Sequence, residues 1–200
     1  MKIIAIEGLD KSGKHTQSQL LADALARKGL HVVQSEFHRY DTPTGELIAK
    51  WLRKEYDVDQ TTIELIMAAD KQAQQNWFRE LEEQGVDVLI LDRYVASQWV
   101  YSQANGVNSE FAINLQMHMR QPDHIIVIDI PADVSMTRKG KHNNGENDRY
   151  ESDKLMLEEV RTLYKQYVHE HSDLVVDGEQ PVDAIHREIL LFTLSKLHLA

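Results

Sequence analysis

The chain has 200 residues, the size of one compact domain, and it contains no cysteine. The lack of cysteine excludes disulfides, thiolate metal sites and a cysteine nucleophile, and it suits a reducing, cytoplasmic setting. The formal net charge of −10 excludes the broad basic surface that binds a nucleic-acid polymer, so a site for a polyanion must be a local positive pocket. No apolar run approaches the roughly 18 residues of a membrane-spanning helix, so we expect a soluble protein with no membrane partner.

Short apolar runs rich in β-branched residues alternate along the chain with longer stretches of helical spacing. The predicted strands are residues 2–7, 31–37, 86–92, 124–130 and 173–176. The predicted helices are residues 16–28, 45–54, 61–84, 109–119, 153–171 and 182–197. Apolar strands that alternate with helices predict a parallel sheet covered on both faces. We therefore expect residues 1–200 to form a single α/β domain.

A glycine-rich segment, GLDKSGKHT at residues 8–16, lies between the first predicted strand and the first predicted helix. Glycines at this spacing let backbone N–H groups turn inward around phosphate oxygens, and the lysine reaches the outer phosphates. The following helix offers its N-terminus to negative charge. The segment predicts a binding loop for the phosphates of ATP, formed by Gly8, Ser12, Gly13, Lys14, His15 and Thr16.

His15 stands where such a loop has a serine or threonine whose hydroxyl binds Mg²⁺. A neutral imidazole is a poor partner for Mg²⁺, which prefers oxygen ligands. Three outcomes stay open. Mg²⁺ is held through water and nearby carboxylates, Thr16 shifts to supply the hydroxyl, or use of the metal is weakened.

Two further features surround this loop. Residues 138–149, RKGKHNNGENDR, form either a solvated surface loop or a lid that excludes water from a phosphate site. Arg93 follows the third predicted strand, at the edge where open α/β sheets place ligands. Its guanidinium suits bidentate binding of a phosphate, or else it joins helix to sheet through Asp92. Asp10 lies inside the loop, where a carboxylate would repel ATP, so we expect it to have another role.

Five segments in chain order resemble the thymidylate kinases, and together they span essentially the whole chain. They are EGLDKSGKHTQ (7–17), FHRY (37–40), DRYVASQWVYSQA (92–104), DRYESD (148–153) and VRTLY (160–164). The resemblance implies a P-loop NTPase-type three-layer sandwich, with a five-stranded parallel sheet and a short lid at about residues 138–150. It implies transfer of a phosphoryl group from ATP·Mg²⁺ to dTMP, giving dTDP and ADP. It also implies a homodimer.

The resemblance assigns roles to single residues. Lys14 binds the β- and γ-phosphates, and Asp10 accepts a hydrogen bond from the 3′-hydroxyl of dTMP. Lys11 is the transition-state cation, with Arg138 and Lys141 as alternatives in the lid. The implied catalytic residues are Lys11, Lys14, Asp92 and Arg93. Implied ATP contacts include Arg138 and Lys139, and the implied metal ligands are Thr16, Asp92 and Glu151. The implied dTMP contacts are Asp10, Phe37, Arg39, Tyr40, Met67, Lys71, Arg93, Ser97, Gln98, Tyr101 and Tyr150.

Two of these positions depart from the pattern of the family. Met67 stands in place of an aromatic ring that stacks on thymine, and Lys71 in place of an arginine that reads the O4 oxygen. The spacing of four residues still places both on one helix face. Methionine stacks less specifically than phenylalanine, and lysine offers a point charge rather than a planar fork. We therefore expect dUMP or a 5-modified dUMP to be accepted more readily.

Two other functions remain open. One is a kinase of another deoxynucleotide or of a deoxynucleoside. Glu36 after the second strand fits the deoxynucleoside reading, whereas Asp10 and Arg93 favour a monophosphate acceptor. The other is a P-loop protein that binds nucleotide without turnover. His15 is the feature that favours it, and the acceptor residues argue against it.

Overall fold

The computed structural model describes residues 1–138, 149–150, 153–171 and 173–199. Strands and helices alternate along these residues. In chain order they are β1 (Lys2–Glu7), α1 (Lys14–Arg27), β2 (Val32–Glu36), α2 (Pro43–Leu52), α3 (Gln60–Ala73), α4 (Gln75–Glu83), β3 (Val88–Asp92), α5 (Val95–Ala104), α6 (Ser109–Gln116), β4 (His124–Asp129), α7 (Ala132–Thr137), α8 (Lys154–His171), β5 (Leu174–Asp177) and α9 (Val182–Lys196). Across the described ranges, no helix is long and apolar enough to cross a membrane.

The five strands form one sheet in the order β2-β3-β1-β4-β5, and every neighbouring pair is parallel. This confirms the predicted five-stranded parallel sheet flanked by helices. Because all the strands run the same way, their carboxyl ends meet at one edge. There Glu36 of β2 is paired in register with Asp92 of β3.

Both faces of the sheet are buried, as the apolar strands predicted. On β1, Ile4 and Ile6 face a cluster of aliphatic side chains beneath α1 and α9. Ile3 and Ala5 face the opposite cluster, which is richer in aromatic rings and is covered by the helices from α2 to α8. Successive side chains of a strand point to opposite faces of the sheet, which explains why β1 contributes to both hydrophobic clusters.

Two helix predictions need correction. The predicted helix over residues 61–84 is two helices, α3 and α4, which meet at Gln74. The break lets Phe78 enter the core while the amide of Gln75 donates to the backbone oxygen of Lys71 at 3.0 Å. Helix α5 was not predicted as a separate helix. Most of its residues are buried, so it lacks the polar face that makes helical periodicity visible.

Most of the predicted lid lies outside the described residues, as do the predicted site residues Lys139 and Glu151 and the alternative cation Lys141.

Candidate active site

The loop between β1 and α1 has a backbone that needs glycine at two positions. Gly8 has φ +136°, and a Cβ atom there would lie 2.4 Å from the backbone oxygen of Ile128. Gly13, at the start of α1, has φ +103°. Both values lie where L-residues with side chains are strained. The sequence therefore folds here into the tight turn that a phosphate-binding loop requires.

The lysine of the loop is held inside the turn. Lys14 is buried, and its Nζ donates to the backbone oxygen of Leu9 at 2.8 Å. Burial lowers the pKa of Lys14, and the nearby charge of Arg93 adds to that effect. The ammonium thus points into the turn, where it can donate hydrogen bonds to phosphate oxygens.

Residues that follow β4, the strand beside β1, support the loop. Ser135 of α7 donates its hydroxyl to the backbone oxygen of Asp10 at 2.8 Å. Arg138 donates to the backbone oxygens of Lys11 at 3.3 Å and Gly178 at 3.1 Å. Of the predicted ATP contacts after α7, Arg138 therefore lies against the loop.

A charged pair joins the loop to the end of β3, with Asp10 in the loop and Arg93 directly after the strand. Arg93 donates to the Asp10 carboxylate at 2.6 Å, and to the hydroxyls of Ser97 at 3.0 Å and Tyr164 at 3.3 Å. Burial by itself would raise the pKa of Asp10, but the charges of Arg93 and Lys14 outweigh it and lower that pKa to about 2. The predicted residues Asp10, Arg93 and Ser97 are thus brought together. Arg93 pairs with Asp10 rather than with Asp92.

Sequence reasoning gave no role to Glu7, a carboxylate buried behind this pair. It accepts hydrogen bonds from the Tyr94 backbone N–H at 2.8 Å, from the Ser97 hydroxyl, and from the Tyr164 hydroxyl at 3.2 Å. Burial raises the pKa of Glu7. The sequence carries a signal for it, because Glu7 ends the apolar run of residues 3–6 directly before the loop.

A second carboxylate, Asp70 on α3, organises the segment that follows β2. It accepts hydrogen bonds from the Arg39 backbone N–H at 3.1 Å, from the hydroxyls of Thr42 at 3.0 Å and Thr44 at 2.8 Å, and it contacts the His38 ring at 3.1 Å. Burial alone would raise the pKa of Asp70, but these partners lower it to about 2. Burial and the charge of Lys71 lower the pKa of His38 to about 4.

The predicted acceptor residues of that segment have different surroundings. The Arg39 guanidinium contacts the Asp41 carboxylate at 3.2 Å and lies 5.5 Å from the centre of the Trp77 ring. Tyr40 is exposed, whereas Phe37 is buried with its ring centre 5.2 Å from that of Tyr94. The structure thus places Phe37 in the core and Arg39 and Tyr40 nearer the surface.

The predicted base-reading residues meet between α3 and α5. Met67 and Lys71 are both buried. The Nζ of Lys71 donates to Gln98 Oε1 at 2.8 Å, and Gln98 Nε2 donates to the Glu64 carboxylate at 2.8 Å and to the Glu64 backbone oxygen at 2.9 Å. Burial lowers the pKa of Lys71 to about 8, although Glu64 opposes the shift. Glu64 was not predicted, since nothing in its sequence neighbourhood marks it.

Tyr150, at the end of the predicted lid, lies beside the side chains between α3 and α5. We call this group of side chains the base wall. Its ring centre lies 5.0 Å from that of Tyr101 and 5.2 Å from that of Trp51. The amide of Gln60 donates to the Tyr150 hydroxyl at 3.3 Å and to the Glu64 carboxylate at 2.9 Å. The predicted residues Tyr101 and Tyr150 therefore line the base wall, which holds Gln98.

Of the predicted metal ligands, Asp92 lies at the sheet edge and Thr16 is exposed in the first turn of α1. The structure adds two residues beside Asp92. Donor atoms of His15, Glu36 and Asp92 all lie within 4.8 Å of one another. Glu36 was not predicted as a ligand, because only the register of β2 against β3 brings it to Asp92.

A glycine loop between β1 and α1, with its lysine turned inward and its carboxylate Asp10 bound to Arg93, is typical of a P-loop phosphotransferase. Arg93 also lies 5.4 Å from the centre of the Tyr101 ring, so the pair adjoins the buried side chains between α3 and α5. This arrangement fits a nucleotide kinase, in which a second substrate accepts the phosphoryl group.

Comparisons with known proteins agree with this class. The family model for thymidylate kinase matches residues 6–189. The thymidylate kinase of Plasmodium falciparum is 30% identical over 192 residues, which cover 94% of this chain and 88% of that protein. The probable thymidylate kinase 1 of Saccharolobus solfataricus is 31% identical over 182 residues, covering 90% of this chain and 89% of that protein.

The fold agrees as well. The solved structure of thymidylate kinase from Candida albicans matches all of this chain and 93% of its own, with a TM-score of 0.82 at 22% identity. The chain belongs to the thymidylate kinase family, the ATP-dependent kinases of dTMP, as the resemblance predicted.

Proposed function

We propose that this protein transfers the γ-phosphoryl group of ATP to dTMP in the cytoplasm, with Lys11 as the transition-state cation and with weak discrimination between dTMP and dUMP. The observation that carries the proposal is the contact of Arg93 with Asp10 at 2.6 Å, close enough to Lys14 for its charge to lower the pKa of Asp10. A protein that only bound ATP would need no such pair.

On the donor side, backbone N–H groups of the loop and the N-terminus of α1 receive the phosphates of ATP. Lys14 exchanges its bond to the Leu9 oxygen for bonds to the β- and γ-phosphates. Lys11 reaches the same region, since its charge contributes to the low pKa of Asp10. Oxygens of Glu36 and Asp92 fit a divalent cation at the loop, and that cation would neutralise charge on the β- and γ-phosphates.

On the acceptor side, the planar guanidinium of Arg93 suits bidentate binding of the dTMP phosphate. Asp10 then turns from Arg93 to accept a hydrogen bond from the 3′-hydroxyl. An oxygen of the dTMP phosphate forms the new bond to the γ-phosphorus, and the bond from that phosphorus to the β,γ-bridging oxygen breaks. ADP leaves with the electron pair, so this chain needs to supply positioning and positive charge rather than a nucleophile.

The side chains at the base explain the weak discrimination. Gln98 already uses its amide oxygen on Lys71 and its amide nitrogen on Glu64. Met67 supplies an adaptable surface instead of a flat ring. Recognition of the base then depends on contact with the 5-methyl group, and one methyl in an apolar pocket is worth about 1–3 kcal/mol. We expect kcat/KM for dTMP to exceed that for dUMP by no more than about tenfold, the low end of that range.

A coupled ADP-release assay with ATP and each of dTMP, dUMP, dCMP and dGMP tests the reaction. We expect turnover with dTMP and dUMP. Lys11→Gln should lower kcat by at least about 100-fold, because it removes a cation from the transition state, whereas the matched change Arg138→Gln should cost less than about tenfold. A larger loss in Arg138→Gln would assign the role to the lid side. ATP binding without turnover of any acceptor would favour the non-catalytic reading.

A second experiment addresses the base. Met67→Phe restores a flat ring, and it should raise the preference for dTMP over dUMP in direct competition. A matched change to an apolar residue outside the base wall, Leu191→Phe on the exposed face of α9, should leave the preference as it was. A wild-type preference well above about tenfold would contradict weak discrimination.

We also propose that the protein is a homodimer, as its family resemblance implies. Helices α3 and α6 pack together and expose Leu65 and Ile113, and Met117 directly after α6 is exposed as well. An apolar surface of this kind is typical of an interface. Light scattering should give twice the mass of one chain, and Ile113→Lys should halve it. A monomeric wild type at assay concentration would refute the dimer.

A further inference from the structure

The first turn of α1 and the ends of β2 and β3 bring together three side chains that metal ions bind. Glu36 ends β2, Asp92 ends β3, and the two are paired in register. His15 is the second residue of α1. Their donor atoms lie within 4.8 Å of one another. We propose that His15, Glu36 and Asp92 form a site for a divalent cation that accepts imidazole, such as Mn²⁺ or Co²⁺, in preference to Mg²⁺.

The spacing of the donors fits one cation after a small adjustment. Bonds of about 2.0–2.2 Å to nitrogen and oxygen set neighbouring donors in a coordination shell roughly 3 Å apart. His15 and Glu36 are exposed side chains at the ends of their elements, so rotation about their side-chain bonds can close the remaining gap. Within the described residues, no hydrogen bond or salt bridge engages the side chains of His15, Glu36 or Asp92. A cation therefore displaces no existing partner.

The donor set decides which cation is favoured. One imidazole nitrogen with two carboxylate oxygens suits the first-row transition metals, whose affinity for such sites exceeds that of Mg²⁺. Mg²⁺ prefers oxygen ligands and gives up its water reluctantly. A loop hydroxyl, the usual ligand at this position, would favour Mg²⁺. The replacement of that hydroxyl by His15 shifts the preference away from it.

The charges around the site also favour a cation. Two carboxylates provide a formal charge of −2, which opposes the positive end of α1. The ammonium of Lys14, whose charge interacts with that of Asp92, donates to the backbone oxygen of Leu9 at 2.8 Å. The site therefore needs no nucleotide to attract a metal ion. Its use in phosphoryl transfer, by contrast, rests on the proposed kinase function.

Binding is measured on the full chain without nucleotide, by titrating Mn²⁺ and following the electron paramagnetic resonance signal of the free ion. We expect one bound Mn²⁺ per chain. His15→Ser and Glu36→Gln should each raise the dissociation constant at least tenfold. Matched changes of exposed residues elsewhere, His31→Gln and Glu188→Gln, should leave it unchanged. Equal melting temperatures in EDTA show that each variant is folded.

Competition with Mg²⁺ gives the selectivity. In the wild type, half-displacement of Mn²⁺ should need at least a 100-fold excess of Mg²⁺, and His15→Ser should need less. Displacement of Mn²⁺ by an equal concentration of Mg²⁺, unchanged binding in both variants, or no stoichiometric binding would overturn the proposal.

The kinase assay separates this inference from the proposed function. Turnover with Mg²⁺ in a chain that binds no Mn²⁺ would overturn the metal site and leave the kinase. Tight Mn²⁺ binding without turnover of any acceptor would overturn the kinase and leave the metal site.

Discussion

The ionised carboxylate of Asp70 should make a measurable contribution to the free energy of unfolding of this protein. It is fully buried on α3, and it has four contacts with residues 38–44, which include the predicted dTMP contact Arg39. Asp70→Asn keeps the shape of the side chain and removes its charge. It also turns one acceptor into a donor that faces the hydroxyls of Thr42 and Thr44.

The magnitude follows from the pKa of the group. The pKa of Asp70 is lowered from 3.8 to about 2 in the folded chain. The unfolded chain therefore binds the proton first as pH falls, and the ionised carboxylate stabilises the folded state above pH 3.8. The difference corresponds to about 2.5 kcal/mol at pH 7, falls to roughly half at pH 3, and is lost below pH 2.

Urea unfolding of the wild type and of Asp70→Asn at pH 7, 5 and 3 measures this contribution. The difference in unfolding free energy between the wild type and Asp70→Asn should be largest at pH 7 and should decrease towards pH 3. The control is Asp41→Asn, because Asp41 also contacts Arg39 but its side chain is 70% exposed, and we expect little change there. A difference that stays constant with pH, or one no larger than that of the control, would refute the reasoning.

Three other substitutions test separate parts of the site. Burial lowers the pKa of Lys71 to about 8, so wild-type stability should rise by about 2 kcal/mol between pH 8 and 10, and Lys71→Met should abolish that rise in urea unfolding. Gly8→Ala should destabilise the fold far more than Gly85→Ala, since both have positive φ but only the first meets the Ile128 backbone oxygen. Equal losses in melting temperature would contradict this steric argument. Arg93→Lys should lower kcat/KM for dTMP by at least about 100-fold while ATP binding, measured by calorimetry, persists. A loss of ATP affinity instead would place Arg93 on the donor side.

The sheet could be predicted because burial on both faces leaves a clear signature in short apolar runs. Each predicted strand lies within two residues of the observed one at either end. Helix α5 has no such signature, because burial around most of its circumference removes the contrast between faces. The break at Gln74 carries neither glycine nor proline, so only packing against the sheet shows it.

Part of the candidate site could likewise be predicted from the sequence, and part of it could not. Gly8, Gly13 and Lys14 could be predicted because a phosphate loop is contiguous in sequence. The contacts of Asp70 with Thr42 and Thr44 join residues 28 and 26 positions apart, and nothing local indicates them. The meeting of Glu36 with Asp92 depends on strand order, which amino-acid patterns leave open.

The aromatic cluster on one face of the sheet has a practical consequence for spectroscopy. All three tryptophans of the chain belong to that side or pack against it, and the aliphatic cluster beneath α1 and α9 contains none. Two of them lie next to arginine side chains, Trp51 beside Arg149 and Trp77 beside Arg39, which is a predicted dTMP contact. Tryptophan fluorescence therefore reports on only one face of the sheet in this protein. It should respond when a nucleoside monophosphate enters and stay nearly silent while ATP alone occupies the loop, which gives a label-free way to follow each substrate separately.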